Sequence, residues 1–337
     1  MNSVLVTGGT GFIGSHLTER LLKEGRDVRV LSLNSLAGIE KKENLEIIKG
    51  KGAKVFYGDL RDKKSLELAL DGVECVFHLG AISRPMFIPR NQYFDVNAVG
   101  TRNILEIAKA KMVKKFIHVS TVSVLGVSPD GKPLKENDFQ EENSDYGLSK
   151  KEGEKIALDF YKHEKLPVVV VRPCLCYGPR CVVRLVMFKY VQKRLFPTFN
   201  KGQALMEFCY VDNVVQALMR AERQENLAGQ IFNITDGRSY EVKEILETIA
   251  EELGIKPAFI DLPVWVGKMA GCFMEVLSKM VGVHPPFSRT AAEWMSKNMN
   301  VYDCSKAKRD LMYNPEISLR EGIKRTVKWY KEKGLIK

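Results

Sequence analysis

The chain has 337 residues, of which 45% are hydrophobic and 28% charged, a composition that excludes disordered and collagen-like proteins. A chain of this length is expected to form about two lobes. The net charge of +11 is spread along the sequence among acidic residues, so we expect no nucleic-acid partner.

No run approaches the ~18 uncharged apolar residues that are needed to span a bilayer, so we expect no transmembrane segment. The first residues carry neither a basic segment nor a signal-cleavage site, which predicts a cytoplasmic protein. The seven cysteines are odd in number and scattered, which favours free thiols in a reducing compartment and no metal site.

Apolar runs predict strands, and apolar residues at helical spacing predict helices between them. The predicted strands cover residues 3–7, 27–33, 53–57, 75–79, 115–119 and 167–171, and the helices 16–23, 64–70, 93–111 and 149–162. Strands that are apolar throughout are buried on both faces, as in a parallel sheet. The alternation predicts an α/β fold with a Rossmann-type, doubly wound parallel sheet.

The alternation loosens after about residue 173, where helices are predicted over residues 189–194, 211–222, 242–253 and 264–283. We therefore expect a smaller, mainly helical C-terminal substrate lobe, formed by residues 173–204 and 237–337. Residues 1–172 would form the first domain, to which residues 205–236 are expected to return.

Glycines separate the first predicted strand from the first helix, at Gly8, Gly11 and Gly14. The first glycine allows a tight turn, the second lets backbone N–H groups approach a pyrophosphate, and the third lets helix and strand pack closely. With Phe12 and Ile13 at the start of the helix, the loop predicts a dinucleotide site.

Tyr146 and Lys150 are four residues apart at the start of a predicted helix, so both side chains lie on one helix face. A cation beside a phenol lowers the pKa of the phenol. Tyr146 would then exchange a proton with an alcohol or ketone oxygen.

Further motifs follow in order: H-L-G-A at 78–81, N-A-V-G-T at 97–101, R-P at 172–173, Y-G-P at 177–179 and Y-V-D at 210–212. Together with the G-x-x-G-x-x-G loop, they make nearly the whole chain resemble the extended short-chain dehydrogenase/reductase superfamily. The similarity is to its NAD-dependent epimerase/dehydratase family, and residues 262–283 resemble the 3β-hydroxysteroid dehydrogenase-like branch.

The resemblance implies an NAD(P)-dependent enzyme with Thr121, Tyr146 and Lys150 as catalytic residues, and with Ser120 as the alternative hydroxyl. It also implies a homodimer that associates through the helices at 93–111 and 149–162. The implied cofactor-binding residues are Gly8, Gly11, Phe12, Ile13, Gly14, Ser32, Asp59, Leu60, Leu79, Gly80, Ala81, Asn97, Ser120, Tyr146, Lys150 and Pro173. The candidate substrate residues are Ser83, Arg84, Ser123, Cys176 and Arg180.

The choice between NAD and NADP stays open, with a slight preference for NAD. The end of the second strand, residues 32–35, carries neither an acid for a ribose 2′-hydroxyl nor a base for a 2′-phosphate. Lys41 and Lys42, expected on a following loop, would reach a phosphate.

Val122 and Ser123 stand where 4,6-dehydratases of the family carry an Asp-Glu pair, which argues against that reaction. Cys176 and Met206 stand where nucleotide-sugar enzymes often carry Asn and Arg, whereas a diphosphate requires charged donors. Arg84, Arg90, Arg180 and Arg184 could supply the diphosphate contacts instead. We expect hydride transfer at a secondary alcohol or ketone of a lipophilic, sterol-like or isoprenoid-like substrate.

Two other functions remain open. One is a nucleotide-sugar 4-epimerase of the UDP-hexose type that holds NAD tightly, and the other is a non-catalytic dinucleotide sensor. The segment 264–283 has apolar residues at helical spacing, interrupted by Lys268, Glu275 and Lys279. It would pack on its own lobe, act as an apolar lid, or lie on a membrane surface.

Overall fold

The computed structural model describes residues 2–34, 39–83, 88–142, 144–281 and 287–337. Arg84, one of the candidate substrate residues, lies outside the described residues.

The strands are β1 Ser3–Thr7, β2 Asp27–Ser32, β3 Lys54–Tyr57, β4 Cys75–His78, β5 Lys115–Val119, β6 Val168–Pro173, β7 Leu175–Tyr177, β8 Pro197–Thr198, β9 Leu205–Met206, β10 Phe208–Tyr210, β11 Ile231–Ile234, β12 Tyr240–Glu241 and β13 Ile260–Asp261. The helices are α1 Phe12–Lys23, α2 Ile39–Gly50, α3 Lys63–Leu70, α4 Arg90–Phe94, α5 Gly100–Ala110, α6 Asp145–Glu164, α7 Val182–Gln192, α8 Val211–Arg223, α9 Val242–Glu252, α10 Val264–Val281, α11 Arg289–Trp294, α12 Ser305–Asp310 and α13 Leu319–Glu332. A π-helical turn, Asp95–Val99, joins α4 to α5, and 3₁₀ turns cover Val122–Leu125 and Asn200–Gly202.

Seven parallel strands form the central sheet in the order β11-β6-β5-β4-β1-β2-β3. The strand order reverses direction between β1 and β4, and ligands of such sheets bind outside the carboxyl ends of the strands at this point. The register aligns the carboxyl ends of these strands, with Thr7 opposite His78 and His78 opposite His118. The structure confirms the predicted Rossmann-type, doubly wound sheet.

Apolar clusters cover both faces of the sheet. Successive side chains of a strand point to opposite faces, so neighbouring residues of one strand join different clusters. In β1, Val4 and Val6 belong to an apolar cluster with Leu17 of α1, whereas Leu5 belongs to a second cluster with Leu66 of α3. Burying a residue of this size contributes about 1.5–3 kcal/mol, so the sheet is the stable support of the site at its edge.

A third apolar cluster is formed by buried residues that follow β6 in the sequence. It includes Tyr177 of β7, Phe188 of α7, Tyr210 of β10 and Ile323 of α13. β7 and β10 pair in parallel, and β8 pairs in the same way with β13.

Several predicted boundaries are wrong. Residues 39–50 form helix α2, so Lys41 and Lys42 lie on a helix and not on a loop. α6 begins at Asp145 rather than at residue 149, because the Ser144 side chain accepts a hydrogen bond from the Gly147 N–H at 3.0 Å and caps the helix. The helix predicted over 189–194 covers Val182–Gln192.

Candidate active site

The glycine loop between β1 and α1 is shaped by close backbone contacts. Gly8 has φ of +68°, and a Cβ there would lie 2.9 Å from the Gly80 nitrogen. A Cβ on Gly14 would lie 2.2 Å from the Gly8 carbonyl oxygen. At Gly11 a Cβ would meet, among described atoms, the Gly8 oxygen at 3.1 Å. Gly8 and Gly14 are therefore required by packing, whereas one side of Gly11 stays open for a ligand.

The loop fits a pyrophosphate. α1 begins at Phe12, and Gly11 at its N-cap supplies no side-chain hydrogen bond to the first turn. Backbone N–H groups at a helix start lack intrahelical partners and favour an anion. Asn44 of α2 donates a hydrogen bond to the Thr10 carbonyl oxygen at 3.0 Å and so supports the loop from outside. The sequence analysis did not identify Asn44.

The segment after β4 lies against the loop. The Thr7 hydroxyl oxygen accepts a hydrogen bond from the Gly80 N–H at 2.9 Å and lies 2.8 Å from His78 Nδ1. A Cβ on Gly80 would lie 3.0 Å from the Thr7 hydroxyl oxygen. Leu79, Gly80 and Ala81 are partly exposed at this edge of the sheet, where the resemblance places a cofactor.

Asn97 lies buried in the π-helical turn, and both the oxygen and the nitrogen of its side-chain amide form hydrogen bonds within the protein. Its oxygen accepts from the Ile82 N–H at 2.8 Å, and its nitrogen donates to the Ile82 carbonyl at 3.0 Å and to the Ser149 hydroxyl at 2.9 Å. The Ser149 hydroxyl donates to the Tyr146 carbonyl at 2.9 Å. Asn97 thus joins the segment after β4 to the helix that carries Tyr146.

The three expected catalytic residues come from two elements. Thr121 follows β5 and caps the 3₁₀ turn, where its hydroxyl accepts a hydrogen bond from the Ser123 N–H at 3.2 Å. Tyr146 lies in the first turn of α6 and Lys150 in the second. The buried Lys150 ammonium donates to the Val119 carbonyl at 2.8 Å, which fixes α6 against the end of β5.

Burial controls the charges of these groups. Desolvation raises the pKa of Tyr146 to about 12, and a hydrogen bond with the Thr121 hydroxyl opposes the rise. This direction is opposite to the one expected from the neighbouring ammonium. Desolvation lowers the pKa of Lys150 to about 8, and the Glu154 carboxylate opposes that fall. At neutral pH Tyr146 is therefore a neutral phenol, and Lys150, one helical turn further along α6, is an ammonium group that burial has destabilised.

The expected adenosine end lies beyond β2 and β3. Asp59 accepts hydrogen bonds from the Arg61 N–H at 2.9 Å and from its guanidinium, which lowers the pKa of the Asp59 carboxyl. Leu60 is buried and its carbonyl accepts from Asn103 at 2.9 Å. The Ser32 hydroxyl is buried and donates to the Leu33 carbonyl at 3.3 Å.

The remaining expected site residues differ in their surroundings. Pro173 ends β6, and the buried Ser120 hydroxyl has no partner among the described residues. Ser83 is exposed. The Cys176 thiol donates to the Cys174 carbonyl at 3.2 Å. The Arg180 guanidinium contacts the Ser15 hydroxyl at 3.2 Å and forms an ion pair with Glu19 of α1.

A profile of the NAD dependent epimerase/dehydratase family matches residues 4–235, more than half of the chain. The chain belongs to this family. It is an enzyme of the extended short-chain dehydrogenase/reductase type, from a family described as NAD dependent. The matched region includes the glycine loop, Thr121, Tyr146 and Lys150.

Relatives of this epimerase/dehydratase family member differ in function. The 3beta-hydroxysteroid-dehydrogenase/decarboxylase isoform 2 of Arabidopsis thaliana is 29% identical, over 96% of this chain and 61% of its own length. The chain thus spans less than two thirds of that relative. The UDP-glucose 4-epimerase of Vibrio cholerae is 28% identical, over 96% of this chain and 94% of its own length.

Among solved structures, the dTDP-glucose 4,6-dehydratase DesIV from Streptomyces venezuelae with bound NAD superposes with a TM-score of 0.77. Its sequence is 25% identical, and the match covers 98% of this chain and 97% of that chain. The fold of this family member therefore matches that of an NAD-bound structure over almost the whole length of both chains.

In this enzyme the Y-G-P and Y-V-D tyrosines are parts of the core. Tyr177 and Tyr210 are buried, with ring centroids 5.5 Å apart, and a Cβ on Gly322 of α13 would lie 2.5 Å from the Tyr177 hydroxyl. The Tyr177 hydroxyl donates to the Leu319 carbonyl at 3.3 Å. These motif residues fix the C-terminal helix on the β7–β10 pair.

Two findings concern ions and membranes. In the part of the chain that the structure describes, no group of three or more histidine, cysteine or acidic side chains is arranged to hold a metal ion. Within the same ranges, no helix is long and apolar enough to cross a membrane.

Proposed function

We propose that this family member is an NAD(P)-dependent oxidoreductase that transfers a hydride at a secondary alcohol or ketone carbon of a lipophilic substrate. One observation carries the choice of substrate. Arg180, one of four arginines that could bind a diphosphate (the others are Arg84, Arg90 and Arg184), already pairs with Glu19 and Ser15 of α1. The neighbouring motif positions, Cys176 and Met206, add no charge.

The bound dinucleotide would supply or accept the hydride. The N–H groups of Phe12, Ile13 and Gly14 would bind its pyrophosphate, since they open α1 beside the open face of Gly11. Lys150, fixed by the Val119 carbonyl, would orient the ribose beside it.

Proton transfer falls to Tyr146. Its raised pKa of about 12 keeps the phenol protonated at neutral pH, so it is ready to donate to the oxygen of a ketone as that oxygen gains charge. The Thr121 hydroxyl, which hydrogen-bonds to the phenol, would donate to the same oxygen. In the oxidative direction Tyr146 would have to lose its proton first, and turnover would rise with pH.

The alternative is a UDP-hexose 4-epimerase, which would oxidise C4 of the sugar with tightly held NAD, rotate the keto-sugar and return the same hydride to it. Its support is the similarity to the Vibrio cholerae UDP-glucose 4-epimerase, most of whose length the chain covers. An epimerase shows no net change in NADH absorbance, whereas an oxidoreductase does.

The test combines a ligand and a turnover measurement. UDP at 100 times its Kd would add about 2.7 kcal/mol to the stability of an epimerase, a melting shift of several degrees. We expect no such shift, and we expect NADH oxidation with apolar cyclic ketones. A clear shift with UDP, or UDP-glucose turnover without net NADH change, would put the epimerase first.

We propose NAD as the cofactor, with NADP as the alternative. Ser32 is buried, and Lys41 and Lys42 lie on α2. Titration calorimetry with each dinucleotide tests the choice, and tighter binding of NADP would reverse it.

The proposed organisation is a cytoplasmic homodimer. Residues 1–172, with 205–236 returning to them, would bind the dinucleotide, and residues 173–204 with 237–337 would bind the substrate. α5 and α6 pack side by side, and Val99 beside them is exposed, which supports association through these helices. Light scattering tests the oligomeric state.

A further inference from the structure

Helix α10 (Val264–Val281) contacts the protein through its small residues. Gly267, Gly271 and Ser278 recur at helical spacing and are buried. A Cβ on Gly267 would lie 2.4 Å from the Phe199 ring, and one on Gly271 would lie 2.3 Å from the Arg289 nitrogen. The glycines therefore allow a close approach that larger residues would prevent.

The large apolar side chains of α10 face outward. Trp265, Met269 and Phe273, each four residues apart, are 64%, 65% and 67% exposed, and Met280 is 81% exposed. Val276 and Leu277, also more than half exposed, extend this stripe. We call these six residues the α10 apolar face. A helix of a globular protein normally buries its apolar face, so this arrangement is inverted. Contiguous exposed apolar patches mark interaction surfaces.

A basic segment leads to this helix. Residues 181–206 contain no acidic residue, but they contain five cations: Arg184, Lys189, Lys193, Arg194 and Lys201. Lys189, Lys193 and Arg194 are exposed, and none of the three forms an ion pair with a described carboxylate. The segment continues into β8, which pairs with β13 just before α10. The Lys201 N–H donates to Asp261 at 2.9 Å, so the basic segment adjoins the start of α10.

We infer that the α10 apolar face lies in the surface of an anionic lipid bilayer, with the basic segment at the phospholipid headgroups. A helix with one strongly apolar face and nearby cations lies in the plane of the interface. The charge of the basic segment decides between a bilayer and a second copy as the occupant of this face. A second copy seated here would bring the same five cations against those of the first, whereas an anionic membrane attracts them.

Docking of this kind would bring the substrate lobe to the phase in which a lipophilic substrate dissolves. The inference goes beyond the proposed reaction, because neither the α10 apolar face nor the basic segment includes a residue of the candidate active site. Vesicle binding is therefore measured without substrate or dinucleotide, and its failure would leave the proposed reaction untouched.

The test is flotation of the full chain with vesicles of phosphatidylcholine mixed with phosphatidylglycerol, compared with vesicles of phosphatidylcholine alone. We expect binding to the mixed vesicles that weakens with salt. The double variant Met269→Glu with Phe273→Glu should lower the bound fraction by about tenfold, because binding scales with the buried apolar area. Thermal melting checks that the variant folds, as expected for exposed positions.

A matched control uses exposed apolar residues elsewhere. Leu68 of α3 and Met112 after α5 are 73% and 84% exposed. Leu68→Glu with Met112→Glu adds the same charge, and this variant should bind vesicles as the parent does. Lys189→Gln with Lys193→Gln should weaken binding to the mixed vesicles alone.

Three outcomes would overturn the inference: no flotation of the parent chain, equal losses in the two glutamate pairs, or equal binding to both kinds of vesicle. A fourth outcome combines two results. The parent chain does not bind vesicles, and light scattering shows a dimer that Met269→Glu with Phe273→Glu converts to a monomer. That result would make a second copy the occupant of the α10 apolar face.

Discussion

Tyr146 is the residue on which the proposed proton transfer depends. We predict that Tyr146→Phe lowers kcat by about 10²–10⁴, the usual contribution of a general acid or base. The Kd of the dinucleotide should change only a few-fold, since the contacts of the glycine loop stay intact. The oxidation rate of the parent enzyme should rise with pH above neutrality, because the pKa of Tyr146 is raised to about 12. Turnover of the variant near the parent level would refute the role.

Burial of the Lys150 ammonium group is expected to lower the free energy of unfolding of the enzyme. Its pKa is lowered to about 8, so the unfolded chain binds this proton more tightly, and the free energy of unfolding falls as the pH drops from about 10.5 to 8. The cost stays constant below pH 8, at roughly 3 kcal/mol. Lys150→Met should therefore inactivate the enzyme but raise its unfolding free energy at pH 7, by about 2 kcal/mol once the lost hydrogen bond to Val119 is subtracted.

Urea unfolding of both proteins at pH 7 and pH 10 checks this expectation. The gain from Lys150→Met should shrink toward pH 10, where the unfolded chain also begins to lose the proton. Lys155→Met on the exposed side of α6 is the control and should show no such dependence on pH. A variant of Lys150 that is less stable than the parent at pH 7 would contradict the argument.

At the scale of elements, two glycines of the loop between β1 and α1 are expected to differ in role: Gly11 in dinucleotide binding and Gly14 in the stability of the fold. Gly11→Ala places its Cβ 3.1 Å from the Gly8 carbonyl, on the side that we assign to pyrophosphate, whereas Gly14→Ala places it 2.2 Å from the same oxygen. We predict that Gly11→Ala keeps the melting temperature within a few degrees but weakens dinucleotide binding by at least about tenfold. Gly14→Ala should lower the melting temperature itself, because the loop must shift.

Calorimetry with NAD and thermal melting of both variants make the comparison. Equal effects of the two alanines on melting would show that Gly11 is also a packing residue. Unchanged NAD affinity in Gly11→Ala would refute the assignment of the loop.

Six of the seven strands of the sheet could be predicted from sequence, because strands such as β4, β5 and β6 are mainly apolar and buried. The seventh strand, β11, was not predicted. Helix α2 could not be predicted. Its buried residues Leu45 and Ile48 are surrounded in sequence by lysines and glutamates, so the apolar residues show no clear helical spacing. The pattern of α10 was visible, but periodicity does not tell whether the apolar face points to the protein or away from it.

The candidate site shows the same division. The glycine spacing and the Tyr146–Lys150 pair are local in sequence, so they could be found there. Asn44 meets Thr10 across 34 residues, and Asn97 meets Ser149 across 52, so only the folded chain brings them together. The sign of the pKa change at Tyr146 also depends on burial, which the sequence did not show.

At the scale of the whole molecule, a buried acid lies between β9 and β10. Glu207 precedes β10, its N–H donates to the Asn300 carbonyl at 2.9 Å, and its carboxylate accepts from Ser239 at 2.5 Å. Burial raises the pKa of Glu207 to about 7, and the nearby Asp236 carboxylate adds to the rise. An acid of this kind stabilises the fold below about pH 4.5, and this contribution is lost as the pH rises through 7.

Glu207→Gln should therefore match the parent enzyme at pH 5 but exceed its unfolding free energy at pH 8, by up to about 3 kcal/mol. Melting curves across this range measure the difference. Glu332→Gln, on the exposed end of α13, serves as the control. A constant difference between parent and Glu207→Gln from pH 5 to 8 would show that Glu207 ionises normally.

The docking of α13 on Tyr177 and Tyr210 has a consequence for synthesis. All strands of the central sheet have been translated once Ile234 is added, but the tyrosines of β7 and β10 pack on Gly322, near the end of the chain. During the last third of translation their apolar cluster therefore lacks its final cover. We expect ribosome-bound chains that end before Leu319 to be the species that chaperones hold, while the glycine loop and its sheet are already in place.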